Sequence, residues 1–573
     1  MSWRASPLKE CSTPAIRLTL QFWSNPMAPV TAPLQTYSPF LLALGGALLQ
    51  YLCFFPFNWG ILGWIALVPW LLLMRLPTTQ LTPWILYLGA LALNLAQLKW
   101  MTVADVRMIG TWLLLAWWCS MFPMAAYFLI RRLTFRWQVP LALSVPVVWV
   151  TLEYAKSFLM TGFPWYFLAH TQHESLPLIQ SADFASTQAL SFIVGMANGW
   201  VADLILCRLK LDNVRIVSRG TLAVTAAVTL SLISGMWGYG IWRINTIKIN
   251  NGPTVALLQG NHAQSVRNSE EHFRQTWLDY KSMLATAKSF QPDLIVWPET
   301  SFPFELPARI DSPGPILGQN DEQEIWSGPP QLLGVNVAVY EGRDVISRHN
   351  SSMLQDFKTG NVTRYDKIHR VPFGEYIPFK DWIPAMNWLS PYDFDYSIRA
   401  GVEATRFPLA WNGQNLSFCA LLCYEDSDFA QTRWAMNSAP PPDFWVNQSN
   451  DGWFQGTEEH AQHLATARFR TIETRRSMAR AVNSGISAII DPLGRILGPT
   501  PIEGNIWRAN ASAAEVPHET WDRFMAMDMV LVGELPLCSA KAPYLILGDW
   551  VAWLCIVLVG AGLFIRPRYA RPT

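Results

Sequence analysis

A chain of 573 residues with a formal net charge of +1 is too long for one ordinary domain and lacks the positive surplus expected of a nucleic-acid binder. It is 51% hydrophobic, only 15% charged and carries 29 tryptophans, a balance that points to a membrane protein with interfacial aromatic belts. The eight cysteines (11, 53, 119, 207, 419, 423, 538 and 555) show no metal-ligand spacing, so neither a zinc site nor a disulfide framework is expected.

Residues 1–37 are polar, with Arg4, Lys9 and Arg17 and no long apolar core, which reads as a cytoplasmic tail and not a cleaved signal peptide. Seven apolar stretches follow at about 39–57, 59–75, 82–103, 111–130, 139–160, 185–207 and 220–242, and an eighth lies at about 544–565. One set of connecting segments carries fourteen basic residues (Arg4, Lys9, Arg17, Arg75, Arg131, Arg132, Arg136, Arg208, Lys210, Arg215, Arg219, Arg566, Arg568 and Arg571). The opposite set carries only Lys99, Arg107 and Lys156. Basic residues stay on the cytoplasmic side, so both ends are expected inside and the long segment between the seventh and eighth spans outside. The expected partition is a tail (1–37), seven transmembrane helices (38–243), an extracytoplasmic domain (244–541), an eighth helix (542–566) and a cytoplasmic tail (567–573). In the fifth span Glu153 and Lys156 share a helical face and are expected to pair with each other. Thr161-Gly162-Phe163-Pro164-Trp165 then reads as a turn with an aromatic anchor.

From about 245 the character changes to that of an α/β domain. Strands are expected at 255–259, 293–297, 332–340, 345–354, 418–422, 444–447 and 486–490. Helices are expected at 272–290 and about 457–478. Three segments place reactive side chains directly after candidate strands or turns. They are Leu294–Glu299, Arg364–Lys367 leading to Val371–Glu375, and Phe418–Glu425. A thiol attacks well only as its thiolate, so Cys423 needs a base, and a buried carboxylate can serve. The tetrahedral intermediate needs a positive charge at its oxyanion, which a lysine can supply. Glu, Lys and Cys are therefore a sufficient set for acyl transfer through a thioester.

On these residues the sequence resembles the nitrilase superfamily, with its Glu-Lys-Cys triad in that chain order, and within it the membrane-bound apolipoprotein N-acyltransferases. Further local matches are Gln259-Gly260-Asn261, Ser449–Phe454, Gln462-His463, Arg480–Asn483 and Pro543-Tyr544. The resemblance implies an αββα sandwich on a base of about eight transmembrane helices. It implies Glu299 as general base, Lys367 as the oxyanion-side cation and Cys423 as nucleophile, with Glu375, Tyr424 and Glu425 in support. Trp453, Phe454 and Asn261 become candidates for lid or substrate contacts. The implied reaction takes an acyl chain from a membrane phospholipid and delivers it to the N-terminal amine of an apolipoprotein's diacylglyceryl-cysteine, at the bacterial inner membrane, with the catalytic domain facing the periplasm and no cofactor. The alternatives are a membrane-tethered amidase, or a transporter or receptor bearing an inactive domain of this kind.

The sequence departs from the family pattern in two places: His262-Ala263-Gln264 with Asn268, and Asp426-Ser427-Asp428 directly after Cys-Tyr-Glu. Glu458-Glu459-His460 with His463 matches no standard zinc spacing, so no metal is expected and the group reads as a solvated helix face.

Overall fold

The computed structural model describes residues 33–76, 79–209, 217–262, 270–308, 327–389, 396–438, 440–498, 500–509 and 515–565. The N-terminal basic residues, Lys210, Arg215, the departure at 263–268 and Arg566, Arg568 and Arg571 lie outside these ranges.

The apolar stretches fold as helices: α1 (Pro33–Leu52), α2 (Val68–Arg75), α3 (Thr82–Gln97), α4 (Met108–Arg136), α5 (Leu141–Lys156), the single turn α6 (Leu176–Ile179), α7 (Ala182–Leu209) and α8 (Arg219–Thr246). Among the described residues, α4, α7 and α8 are long and apolar enough to cross a membrane. Their outward faces carry exposed apolar side chains such as Leu113, Trp117, Val224 and Leu230, which water would not tolerate as one continuous surface. The inward face packs Trp70, Leu86, Ile130, Val148 and Val194 into one core.

The expected ion pair in α5 is not formed. Glu153 Oε1 accepts from the Leu168 N–H at 2.8 Å and from Trp149 Nε1 at 3.1 Å, while Lys156 Nζ donates to the Trp165 carbonyl at 2.8 Å. Each side chain is spent on holding the loop that follows the helix. Gly162 permits that loop: its φ is 87°, and a Cβ there would sit 2.1 Å from the Ser157 carbonyl oxygen.

The rest is a two-sheet sandwich. The large sheet contains β1 (Thr254–Gln259), β2 (Leu294–Val296), β3 (Leu306–Pro307), β4 (Gln331–Glu341), β5 (Asp344–Gln355), β6 (Val362–Asp366), β12 (Thr500–Glu503), β13 (Ile506–Ala509) and β14 (Met529–Glu534). Its order is β12-β13-β14-β1-β2-β4-β5-β6, with β3 on β4. The small sheet contains β7 (Phe407–Trp411), β8 (Gln414–Leu422), β9 (Phe444–Ser449), β10 (Met478–Val482) and β11 (Ala488–Ile490), in the order β11-β10-β9-β8-β7. Side-chain alternation builds the layers. Val255 and Leu257 meet Phe418, Ala420, Leu422 and Val446 between the sheets. Ala256 and Leu258 turn the other way, onto Trp277, Tyr280 and Leu284 of α9 (Glu270–Ser289). The small sheet is covered by α10 (Phe429–Asn437) and α11 (Glu459–Thr474), giving the expected αββα order. The chain returns to the bundle through the turn α12 (Tyr544–Leu547) and α13 (Trp550–Phe564).

Helix α11 overturns one expectation. It has no solvated face: Ala461, Leu464 and Ala465 pack on the small sheet, while Phe469 and Ile472 join the core of the helical bundle. Glu459, His460 and His463 are all buried. The bundle also supplies polar partners. At the break in α7, where Ser186 has φ 60°, Glu473 Oε1 accepts from the Thr187 N–H at 2.9 Å and from the Ser186 and Thr187 hydroxyls. The helix stops at Thr474 because Arg475 turns left-handed and reaches Asp183 of α7. The sandwich is thus keyed into the helices by buried charge.

Candidate active site

Strand ends deliver the three reactive side chains to one place. Glu299 follows β2, Lys367 follows β6 and Cys423 ends β8. Close approach behind Glu299 is permitted by Gly334 of β4, where a Cβ would lie 1.9 Å from the Pro298 carbonyl oxygen. Lys367 is 1% exposed and lies between two carboxylates, Glu299 Oε1 at 3.1 Å and Glu375 Oε1 at 2.7 Å. Asn350 Nδ2 donates to the same two oxygens, at 2.7 Å and 3.2 Å. Glu375 is fixed in turn by the Val371 N–H, 2.7 Å from Oε2.

These charges set one another. Burial raises the Glu299 carboxyl above its ordinary range, with Glu375 adding to the rise and Lys367 opposing it. Burial works against the Lys367 ammonium, but Glu299, Glu375 and Cys423 outweigh it and hold it protonated. Burial also pushes the Cys423 thiol up, as does Glu299, while Lys367 pulls it down. The resting thiol is neutral and gains a thiolate only if a neighbour takes its proton.

Cys423 has φ 50°, a left-handed turn immediately after an extended strand. Two contacts hold that elbow. Asn447 Nδ2 donates to the Cys423 carbonyl at 3.1 Å. Glu425, fully buried, accepts from the Leu422 N–H at 2.7 Å on one oxygen and from the Ile368 and His369 N–H groups at 2.7 and 2.9 Å on the other. It therefore clamps the backbone beside the cysteine to the backbone beside the lysine, and Tyr365 donates to it as well. Tyr424 points elsewhere, stacking on Trp165 with ring centroids 5.8 Å apart.

The Asp426–Asp428 departure has a structural purpose. Asp428 caps α10 by accepting from the Ala430 and Gln431 N–H groups, and pairs with His369 at 2.7 Å. Asp426 accepts from His463 Nε2 at 2.8 Å and pairs with Arg480. Asp451 receives the other halves, Arg480 at 3.0 Å and His463 Nδ1 at 3.2 Å. This second buried cluster is not legible in sequence, because its members come from four separate segments.

A cavity of about 780 Å³ opens onto Glu299, Lys367 and Cys423. Tyr424, Trp453 and Phe454 line it, and Phe454 packs edge-on against Trp100 of the helical base at 4.7 Å. From there the cavity extends along Met108, Thr111, Leu114, Leu115 and Trp118 of α4. Asn261 stands apart from the lining: its backbone is left-handed, its N–H donates to the Asn483 carbonyl, and its side chain accepts from Ser484. Its neighbour His262 lines the cavity instead.

Residues 46–200 match the model of the apolipoprotein N-acyltransferase N-terminal domain, and residues 254–521 match that of the carbon-nitrogen hydrolases. The chain is 28% identical to the apolipoprotein N-acyltransferase of Geobacter metallireducens, over 86% of this chain and 89% of that one. It is 25% identical to that of Pasteurella multocida, over 93% and 97%. Among solved structures, a point mutant of the Nesterenkonia AN1 amidase, from the nitrilase superfamily, shares 16% identity at a TM-score of 0.33, covering 52% of this chain and 95% of that one.

Proposed function

The chain belongs to the apolipoprotein N-acyltransferases, and from that membership we propose that Cys423 carries an acyl group between a membrane phospholipid and an apolipoprotein. In the first half-reaction Glu299, ionised beside Lys367, takes the thiol proton. The thiolate attacks an ester carbonyl of the phospholipid, and the Lys367 ammonium faces the developing oxyanion. Collapse breaks the ester bond. The lysophospholipid alkoxide leaves with the proton held by Glu299, and the acyl group stays on sulfur as a thioester. In the second half-reaction the N-terminal amine of the diacylglyceryl-cysteine attacks that thioester and loses a proton to Glu299. The amide forms, and the released thiolate is reprotonated.

Glu375 holds the Lys367 ammonium and Glu425 holds the elbow, so both position without touching the acyl group. Tyr424, Trp453 and Phe454 form the side walls, and the aromatic pair acts as a lid that keeps water from the thioester. Asn261, bonded to Asn483 and Ser484, positions the turn that brings His262 to the cavity. On the basic-residue bias of the sequence, the domain faces the periplasm from the inner membrane.

The observation that carries this reading is one cavity that joins the Cys423 thiol to the apolar flank of a membrane-length helix. A soluble amide needs no such passage, whereas a lipid acyl chain does. The test is purified protein with phospholipid and a synthetic diacylglyceryl-cysteine peptide. An N-acylated peptide with one lysophospholipid per transfer is expected. Steady release of free fatty acid in the absence of peptide makes the protein a hydrolase and overturns the proposal.

A further inference from the structure

The acyl-transfer scheme leaves one buried acid on the cavity wall unused. Glu459 lines the cavity and is 4% exposed, and its Oε2 has no hydrogen-bond partner. A desolvated carboxyl oxygen without a partner is costly, so native structures retain few of them without a ligand or a functional reason. Its neighbours cannot satisfy it. Asp426 and Asp451 are two anions already matched by two cations, Arg480 and His463, and burial notwithstanding, those two carboxylates hold His463 protonated, up to about 10. Glu459 is the fifth charge, 3.5 Å from His463 Nδ1, which already bonds Asp451. Burial, with Asp451 adding to it, accordingly pushes Glu459 up to about 8.

A group that would ionise but for a missing cation, and that faces a substrate cavity, is suited to a cationic portion of substrate. Asp451, Glu459 and His460 do offer ligand atoms within 4.8 Å of one another. An inorganic dication there would sit against the Arg480 guanidinium, 3.0 Å from Asp451, and the charged His463. A single positive charge with hydrogen-bond donors, held in the cavity that Glu459 lines, can be met by a small turn of that side chain and displaces neither.

We propose that Glu459 is a primary-ammonium subsite in the wall of the catalytic cavity. The inference rests on the acyl-transfer reading, which brings a primary ammonium to this cavity from two sources. One is the acceptor's N-terminal amine, and the other is the headgroup of an ethanolamine phospholipid. When the ammonium pairs with the carboxylate, the acid proton of Glu459 goes to solvent.

The test uses the full-length protein and Glu459→Gln, which keeps the shape and removes the charge. Three rates are compared: acyl-adduct formation from phosphatidylglycerol, adduct formation from phosphatidylethanolamine, and adduct discharge by a diacylglyceryl-cysteine peptide. Loss of a charge-assisted hydrogen bond predicts a drop of about tenfold or more in kcat/KM. If the drop falls on phosphatidylethanolamine relative to phosphatidylglycerol, the donor headgroup is the ligand. If it falls on discharge, the acceptor amine is. Equal losses in all three rates, or none, overturn the proposal. Should the variant fail to accumulate, ethylammonium added to the wild type is expected to compete with one ammonium-bearing substrate and not with phosphatidylglycerol, and absence of competition overturns it equally. A wild type that forms no adduct from either lipid sinks the acyl-transfer reading itself, and this subsite with it.

Discussion

Two clusters of buried charge lie either side of Cys423, and they are built from the same kinds of residue to opposite ends. In front, Lys367 serves two carboxylates, Glu299 and Glu375, so the group carries one negative charge too many. Behind, Asp426 and Asp451 face Arg480 and His463, each anion bonded to both cations. Those four charges match, and they tie together the turn that carries Cys423, the strand that carries Asn447 and the turn before Trp453, with Glu459 beside them as the one unmatched acid. The unbalanced cluster leaves one carboxyl, Glu299, raised above its ordinary range by burial, with Glu375 adding to the rise and Lys367 opposing it. Burial alone does not make a charged group reactive; the count of partners around it does.

The comparison predicts different failures. Glu299→Gln and Cys423→Ala should each lower the rate of acyl-adduct formation by about a thousandfold or more, while the thermal midpoint of the purified protein barely moves. Loss of folded protein in these variants would mean that the front cluster is structural too. Arg480→Leu should do the reverse, leaving Asp426 and Asp451 without their shared cation and costing about 3–5 kcal/mol of stability, read as a fall in thermal midpoint. An Arg480→Leu protein of normal stability but no activity would erase the distinction.

A milder effect concerns pH. Glu299 must be ionised to act, and its raised carboxyl becomes protonated at a higher pH than a free glutamate does. Adduct formation should therefore decline on the acid side well before pH reaches the ordinary carboxylate range. A profile flat down to that range would deny Glu299 the role of base. The smallest effect belongs to the α4 side of the cavity, where Leu115→Trp should shorten the preferred acyl chain. Each methylene excluded is worth about 0.8 kcal/mol, or roughly fourfold in selectivity, measured with donors of graded chain length.

Much of this is legible in the sequence because strand ends announce themselves. Cys423 ends an apolar run and Glu299 follows another, and the structure places both at the mouth of the same cavity. Lys367 is harder. Its strand, β6, is an edge with a single buried residue, Tyr365, so no apolar run marks it and only the family resemblance singles out the lysine. The edge strand β7 escapes sequence reading for a related reason, since Pro408 argues against a strand anywhere but at a sheet edge. The charge-rich start of α11 misleads because a helix with Glu, His and Gln on one side ordinarily faces water. The helical base covers that side here, and nothing within residues 459–474 reveals it. Likewise, Glu153 and Lys156 sit one turn apart, but the partners they take are backbone groups of the following loop, which spacing along a helix cannot disclose.

The central claim is that Cys423 holds the acyl group between two substrates, and intact-protein and peptide mass spectrometry after incubation with phospholipid alone tests it most directly. The account predicts one acyl mass on the peptide containing Cys423, one equivalent of lysophospholipid released, and neither in Cys423→Ala. An acyl group found on another residue, or lysophospholipid released continuously with Cys423 unmodified, would contradict it.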